Sequence, residues 1–235
     1  MRASSAACAA VHGARDWRHA LHQVVSYFPG HSCTVRSSIA PGAYAAAARP
    51  AVFGKVSSSE VGSRTLRAMQ SLARHSAGDA LFGGAEPLHY DADRRILWQS
   101  AIEGPALATL LGGSAQHLAL WQRLGSAIAR FHATPPVGND VFTAVLLREQ
   151  IERALAVVTA AAPALTADTE ALAAELLRRA ADVDAAPGAT LHGDLHARNI
   201  IVAGERICFI DLDRVCSGPA LLDIGSVLAE RIGSD

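Results

Sequence analysis

In the run His192-Gly193-Asp194-Leu195-His196-Ala197-Arg198-Asn199, an Asp stands five residues before an Asn, and Ile210-Asp211-Leu212-Asp213 brings further carboxylates from a later segment. Side chains of this kind suit phosphoryl transfer. That chemistry asks a protein for little covalent work, but it needs a carboxylate beside the acceptor hydroxyl and oxygen ligands holding Mg²⁺ against the phosphates. Asp194 could act as the base. Asn199 and Asp211 could hold Mg²⁺, a hard ion usually bound by one or two carboxylates together with phosphates and water. A rival chemistry is metal-assisted hydrolysis, because His192, Asp194 and His196 alternate like zinc ligands. It is the weaker reading, since Gly193 argues for a loop and Asn199 is left without a role.

These residues need a loop and a hairpin to position them. Thr190-Leu191-His192 is a short apolar approach, and Gly193 permits a tight turn. Ile200-Ile201-Val202 is β-branched and reads as a strand, Ala203-Gly204-Glu205 as a turn, and Arg206 to Ile210 as the returning strand. The hairpin carries Asp211 back beside the loop.

The first hundred residues read as a small mixed unit. Trp17, Leu21, Val24, Val25 and Phe28 recur at helical intervals, and Pro29-Gly30 would end that helix. Thr34 to Ile39 alternates like a strand, Pro41-Gly42 marks a turn, and Ala51 to Val56 is a second strand carrying Lys55, the only lysine of the chain. Ser57 and Glu60 have capping-box spacing, and Val61, Leu66, Met69 and Leu72 would line the following helix. Asp91-Ala92-Asp93-Arg94 is a hairpin turn between two strands. Farther on, Leu118, Trp121, Leu124, Ile128 and Phe131 form a helical stripe. Two more amphipathic helices fall between Asn139 and Pro187, with Leu147, Ile151, Leu155 and Val158 on one and Leu165, Leu172, Leu176 and Val183 on the other. In that region eight acids face four arginines, a balance that would suit a cationic acceptor, although Glu149 with Arg153 and Glu175 with Arg179 are ordinary i, i+4 pairs.

Composition narrows the class. At 235 residues the chain can bury a substantial core. It is 50% hydrophobic but only 5% aromatic, and no run approaches the roughly 18 apolar residues of a spanning helix. A net charge of -1 argues against a nucleic-acid surface. Cys8, Cys33, Cys208 and Cys216 form no CxxC pair, so neither a zinc ribbon nor a disulfide framework is indicated and a reducing cytoplasm is expected. Met1 to Ala14 lacks the apolar core of a signal peptide.

The loop and hairpin together resemble the catalytic segment of the aminoglycoside phosphotransferase and choline kinase-like family, with Gly193 where related protein kinases carry Arg and Asp211-Leu212-Asp213 where they carry DFG. The resemblance implies an α+β, two-lobed protein-kinase-like fold. It implies a small mixed N-lobe with an antiparallel sheet over residues 1–103, including a leader at 1–16, and a mainly helical C-lobe over 104–235. Carried over, Asp194 is the catalytic base, Asn199 and Asp211 hold Mg²⁺, Lys55 touches the ATP phosphates, and Glu103 lies in the hinge Ile102-Glu103-Gly104-Pro105 that meets adenine. Asp223, after Gly218-Pro219, would brace the catalytic loop. The implied activity is ATP-dependent transfer to a hydroxyl of a small molecule, such as an aminoglycoside, amino alcohol or sugar. The alternative is a pseudokinase, a nucleotide-binding or scaffolding module without turnover.

Two departures favour that alternative. Thr65 stands where the family places a Glu to hold the lysine, and no Gly-rich phosphate loop is evident, Pro41-Gly42-Ala43-Tyr44 being the nearest. A third departure is that the family continues with further helices past the position of Asp223. The C-lobe is therefore expected to be shortened, leaving Leu221, Leu222, Ile224, Val227 and Leu228 as an apolar face for self-association or a cause of marginal stability.

Overall fold

The computed structural model describes residues 20–39, 51–110, 117–180, 182–185 and 188–232. Its N-terminal part is a five-stranded antiparallel sheet ordered β1-β2-β3-β6-β5, with β1 Ala20–Phe28, β2 Ser32–Ile39, β3 Ala51–Ser57, β5 Pro87–Asp91 and β6 Ile96–Ser100. Helix α1, Val61–His75, follows the lysine-bearing strand and buries Met69 and Leu72. The expected order of strand, Lys-bearing strand, helix and hairpin is therefore present.

The helix expected over Trp17 to Phe28 is a strand. Trp17 itself lies outside the described residues, while Leu21, Val24, Tyr27 and Phe28 belong to β1, which pairs with β2 from Ala20↔Ile39 to Phe28↔Ser32. Val24-Val25 and Tyr27-Phe28 are β-branched and aromatic, types that fit a pleated surface, and a register shift between Val24 and Ser26 blurs the two-residue period. Pro29-Gly30 closes the hairpin rather than capping a helix, with Gly30 at φ 75°. The capping box also fails. Ser57 is the last residue of β3, and Glu60 precedes α1 without a side-chain capping bond. The turn at Pro41-Gly42 and the loop through Tyr44 lie outside the described residues.

A short strand that the sequence does not announce, β4 Phe82–Gly84, runs parallel to β9, Arg206–Phe209, which pairs antiparallel with β8, Ile200–Ala203. Arg206 locks this junction, donating from Nε to the Phe82 carbonyl at 3.0 Å and from Nη2 to the Ser76 carbonyl at 3.1 Å. The β8–β9 hairpin is thereby stitched to the segment beneath α1.

The helical part contains α2 Leu107–Leu110, α3 His117–His132, α4 Ala144–Ala161, α5 Thr166–Arg179, α6 Asp182–Ala185 and α7 Leu221–Ile232, with β7 Gly188–Leu191 paired to β10 Cys216–Pro219. On α3, Leu124, Ile128 and Phe131 enter the core as their spacing requires, whereas Leu118 is exposed. One apolar cluster joins Met69 and Leu72 to Phe131, Leu195, Ile207 and Phe209, so the helix, the loop that carries Asp194 and its hairpin share one core. Helices α4 and α5 pack mainly on each other. Leu172 and Leu176 stay exposed on α5, where Ala173 is the buried residue, and Val183 lies on the separate α6. Among the described residues no helix is long and apolar enough to cross a membrane.

Helix α7 buries Val227, at 5% exposure, but presents Leu221 at 76% and Leu228 at 51% beside a groove lined by Trp121, Leu124 and Ile128. Two outcomes separate these faces. Val227→Glu places an unpaired charge in the core and should lower the melting temperature markedly, at a cost of several kcal/mol. Leu221→Glu combined with Leu228→Glu should change stability by no more than about 0.5 kcal/mol in the same melting experiment.

Candidate active site

The loop after β7 is held from beneath by Asp223. This carboxylate, 1% exposed, accepts from the backbone N–H of His192 at 2.7 Å and of Gly193 at 3.0 Å, and sits 3.0 Å from His132 Nε2. The brace expected of Asp223 is present, and His132 is its partner. Gly193 has φ 77°, and a Cβ there would run into the Arg214 carbonyl. Only glycine fits that close crossing of loop and hairpin.

His192 is wholly buried and bonds through Nε2 to the Ile210 carbonyl at 2.8 Å, tying the loop to the end of the hairpin. It packs 6.2 Å from the Phe131 ring, which lies 5.0 Å from Phe209. Burial drives its pKa below the ordinary histidine value, against the opposing pull of the Ile210 carbonyl and nearby acids. His192 is thus a neutral structural pin. The zinc reading fails with it, since among the described residues no three His, Cys, Asp or Glu side chains converge as metal ligands.

Asp194 follows at the loop's bend, half-buried, in a groove of about 390 Å³ shared with Phe142, Gln150, Arg153, Leu191 and Arg214. Asn199 reaches back to donate from Nδ2 to the Asp194 carbonyl at 3.0 Å, which leaves its amide oxygen for another partner. The Ile210 N–H donates to the Asn199 carbonyl at 3.0 Å, so Asn199 and Asp211 emerge from facing positions of the hairpin. Asp211 adopts the left-handed region, φ 62° and ψ 56°, which is uncommon for a residue with a side chain. The donor set of one amide oxygen and one exposed carboxylate suits Mg²⁺.

Lys55 on β3 forms ion pairs with Asp211 and, at 2.7 Å, with Asp213 Oδ2. Burial pulls its pKa down, but the two carboxylates outweigh that effect and leave it raised. The three residues line a cavity of about 290 Å³ with Thr65, Phe53 and Ile102. Glu103 is exposed and does not line this cavity, and among the described residues neither of its backbone groups bonds within the chain. The hinge is nevertheless firm on one side. Gly104, at φ 150°, lies against the Val202 carbonyl, and the Val202 N–H donates to the Pro105 carbonyl at 2.9 Å.

The acidic balance of residues 139–187 does not face the Asp194 groove. Asp140 pairs with Arg64, Glu149 with Arg153, and Glu175 with Arg178 and Arg179, while Asp184 accepts from the Ala144 N–H. The groove instead carries Arg153 and Arg214. Asp213 is the residue whose role the sequence reading missed; its only signal was a second acid two places after Asp211.

Loss of the Asp223 carboxylate strands the buried His192 N–H, the partly buried Gly193 N–H and His132, so Asp223→Ala should cost about 3–5 kcal/mol in urea unfolding. Stability should also fall as pH drops below about 6.5, the unfolded histidine value. In that window the unfolded chain protonates His192 while the folded chain holds it neutral. A His192→Gln variant should lack that part of the acid loss.

Comparison with known proteins agrees with the geometry. Residues 50–235 match the model of the phosphotransferase enzyme family. No curated sequence matches the chain. Among solved structures, a choline/ethanolamine kinase family protein from Mesorhizobium loti is 18% identical, with TM-score 0.60 over 98% of this chain and 71% of its own. An aminoglycoside phosphotransferase from Streptomyces rimosus, in complex with ADP and streptomycin, is 20% identical, with TM-score 0.59 over 97% and 83%. A macrolide 2'-phosphotransferase from Brachybacterium faecium is 20% identical, with TM-score 0.58 over 95% and 76%. At these identities the likeness establishes the fold, the two-lobed kinase-like architecture expected above.

Proposed function

Because the chain belongs to the phosphotransferase enzyme family, we propose that it moves the γ-phosphate of ATP to a hydroxyl of a small molecule. The observation that carries this reading is the convergence of Lys55 from the N-terminal sheet with Asp211 from the hairpin, next to a loop that presents Asp194 to a separate groove. Nucleotide and acceptor thus have distinct places on either side of one set of oxygens.

In this reading Lys55 holds the α- and β-phosphates, and the unbonded backbone of Glu103 meets the adenine edge. Asn199 and Asp211 would hold Mg²⁺, which when bound draws charge from the phosphate oxygens. Asp194 accepts the proton of the acceptor hydroxyl as it attacks, and the Asp223 brace keeps the loop from retreating. The complex of the Streptomyces rimosus protein with ADP and streptomycin supports a nucleotide as one partner of this fold. ATP supply and the free thiols of Cys33, Cys208 and Cys216 fit a cytoplasmic enzyme acting on soluble small molecules.

The pseudokinase alternative rested on Thr65 and on the missing glycine loop. It loses ground because Lys55 is paired without a glutamate on α1.

The test is ATP consumption across aminoglycosides, choline, amino alcohols and sugars. At least one class should stimulate turnover. With that acceptor, Asp194→Ala should reduce kcat by about 10²- to 10⁴-fold, the usual contribution of a general base, and leave ATP affinity nearly unchanged. Asp211→Asn should weaken Mg·ATP binding in calorimetry. Turnover of Asp194→Ala within a few-fold of the parent would remove it from the base role.

A further inference from the structure

Lys55 has two carboxylate partners, and they are held in different ways. Asp211 is exposed and bound for the metal in the reading above, so phosphate and Mg²⁺ both compete for the contacts of that pair. Asp213 is anchored at three points. Its Oδ2 grips the Lys55 ammonium at 2.7 Å, its Oδ1 accepts from the Thr65 hydroxyl at 2.8 Å, and its backbone carbonyl accepts from Arg64 Nη2 at 2.8 Å. Leu212, buried next to it, fixes the turn between the two acids.

Thr65 is 3% exposed on the inner face of α1. Its hydroxyl has one proton and two acceptors in reach, Asp213 Oδ1 at 2.8 Å and the Val61 carbonyl at 3.0 Å. A charged acceptor forms the stronger hydrogen bond, so the proton goes to Asp213. With Oδ1 occupied, the remaining oxygen is turned to Lys55. Arg64, one residue earlier on the same helix, adds the backbone contact and also pairs with Asp140 at 2.9 Å.

Resting on the phosphotransferase reading, we propose that Asp213 is the positioning residue for Lys55, set in place by the Thr65 hydroxyl. Helix α1 reaches the lysine through a hydroxyl and a carboxylate supplied by the hairpin, rather than through an acid of its own. Both Asp213 oxygens have a partner within the chain, whereas Asp211 is held to Lys55 through Oδ1. The lysine therefore keeps one fixed anion when Asp211 turns to Mg²⁺.

That Lys55 is the only lysine makes the proposal directly observable. Protein labelled with [ε-¹³C]lysine gives one side-chain resonance, and its relaxation reports how firmly the ammonium is held. In the nucleotide-free protein at neutral pH, Asp213→Asn and Thr65→Val should each raise the mobility of that carbon, and Thr65→Ser, which keeps the hydroxyl, should not. Asp213→Asn should also lower kcat/KM for ATP about tenfold, the size of a coupling between contacting groups, and this loss should vanish in a Lys55→Ala background. Unchanged lysine mobility in folded Asp213→Asn and Thr65→Val would overturn the proposal. So would an Asp213→Asn loss that persists in full without Lys55 or that appears only as weaker Mg²⁺ activation. Should the parent chain consume no ATP while the lysine signal still responds to Asp213 and Thr65, the phosphotransferase reading fails and the brace stands.

Discussion

One buried carboxylate sets the geometry on which the site depends. Asp223, itself buried, receives the backbone N–H groups of His192 and Gly193 and faces His132. A charge so placed is stabilised only if its acceptors are filled, and removal of either side leaves polar groups buried without partners. The loop is therefore pinned at its entry, Gly193 can cross under the Arg214 carbonyl, and Asp194 is presented at the bend. His192 repeats the constraint from the other face by bonding the Ile210 carbonyl. With entry and hairpin both fixed, Asn199 and Asp211 have little freedom in where they emerge.

The Lys55 side of the site is organised by charge. Lys55 is drawn between two acids from the hairpin, and those acids hold its pKa up against burial. A free lysine on β3 would sample many rotamers; a paired one spends less conformational entropy when phosphate arrives. The hairpin that carries the partners of Lys55 pairs with β4 and is bonded through Arg206 to the Ser76 carbonyl at the end of α1, the helix that follows the lysine-bearing strand.

Much of this was legible in the sequence because the information is local. The five-residue step from Asp194 to Asn199, and the hairpin that returns Asp211, lie within a short stretch whose turn residues and β-branched runs specify the path. Asp223 was expected as a brace only through the family resemblance at Gly218-Pro219, since it lies 31 positions from His192. Long-range pairings were not legible. Thr65 and Asp213 are 148 positions apart and no spacing rule links them, so Thr65 read as a missing acid rather than as a donor to another one. β1 was misread because its apolar residues match a helical interval and its register shift hides the two-residue period. β4, three residues long, carries no pattern of its own and exists only because β9 offers an edge. The acids of residues 139–187 suggested a cationic acceptor from composition, but their positions beside arginines and a helix N-terminus are tertiary facts.

The central claim is that the loop carrying Asp194 is preorganised by Asp223 before any ligand arrives. Native-state hydrogen exchange of the His192 and Gly193 amides in the ligand-free protein tests it most directly. Local opening free energies span the range from near zero for mobile loops to the global unfolding value for core elements. The account predicts that both amides exchange only at the rate set by global unfolding, alongside Phe131 and Phe209 in the core. Rapid exchange of His192 and Gly193, with protection gained only on adding nucleotide, would show that the ligand orders the loop and would contradict the account.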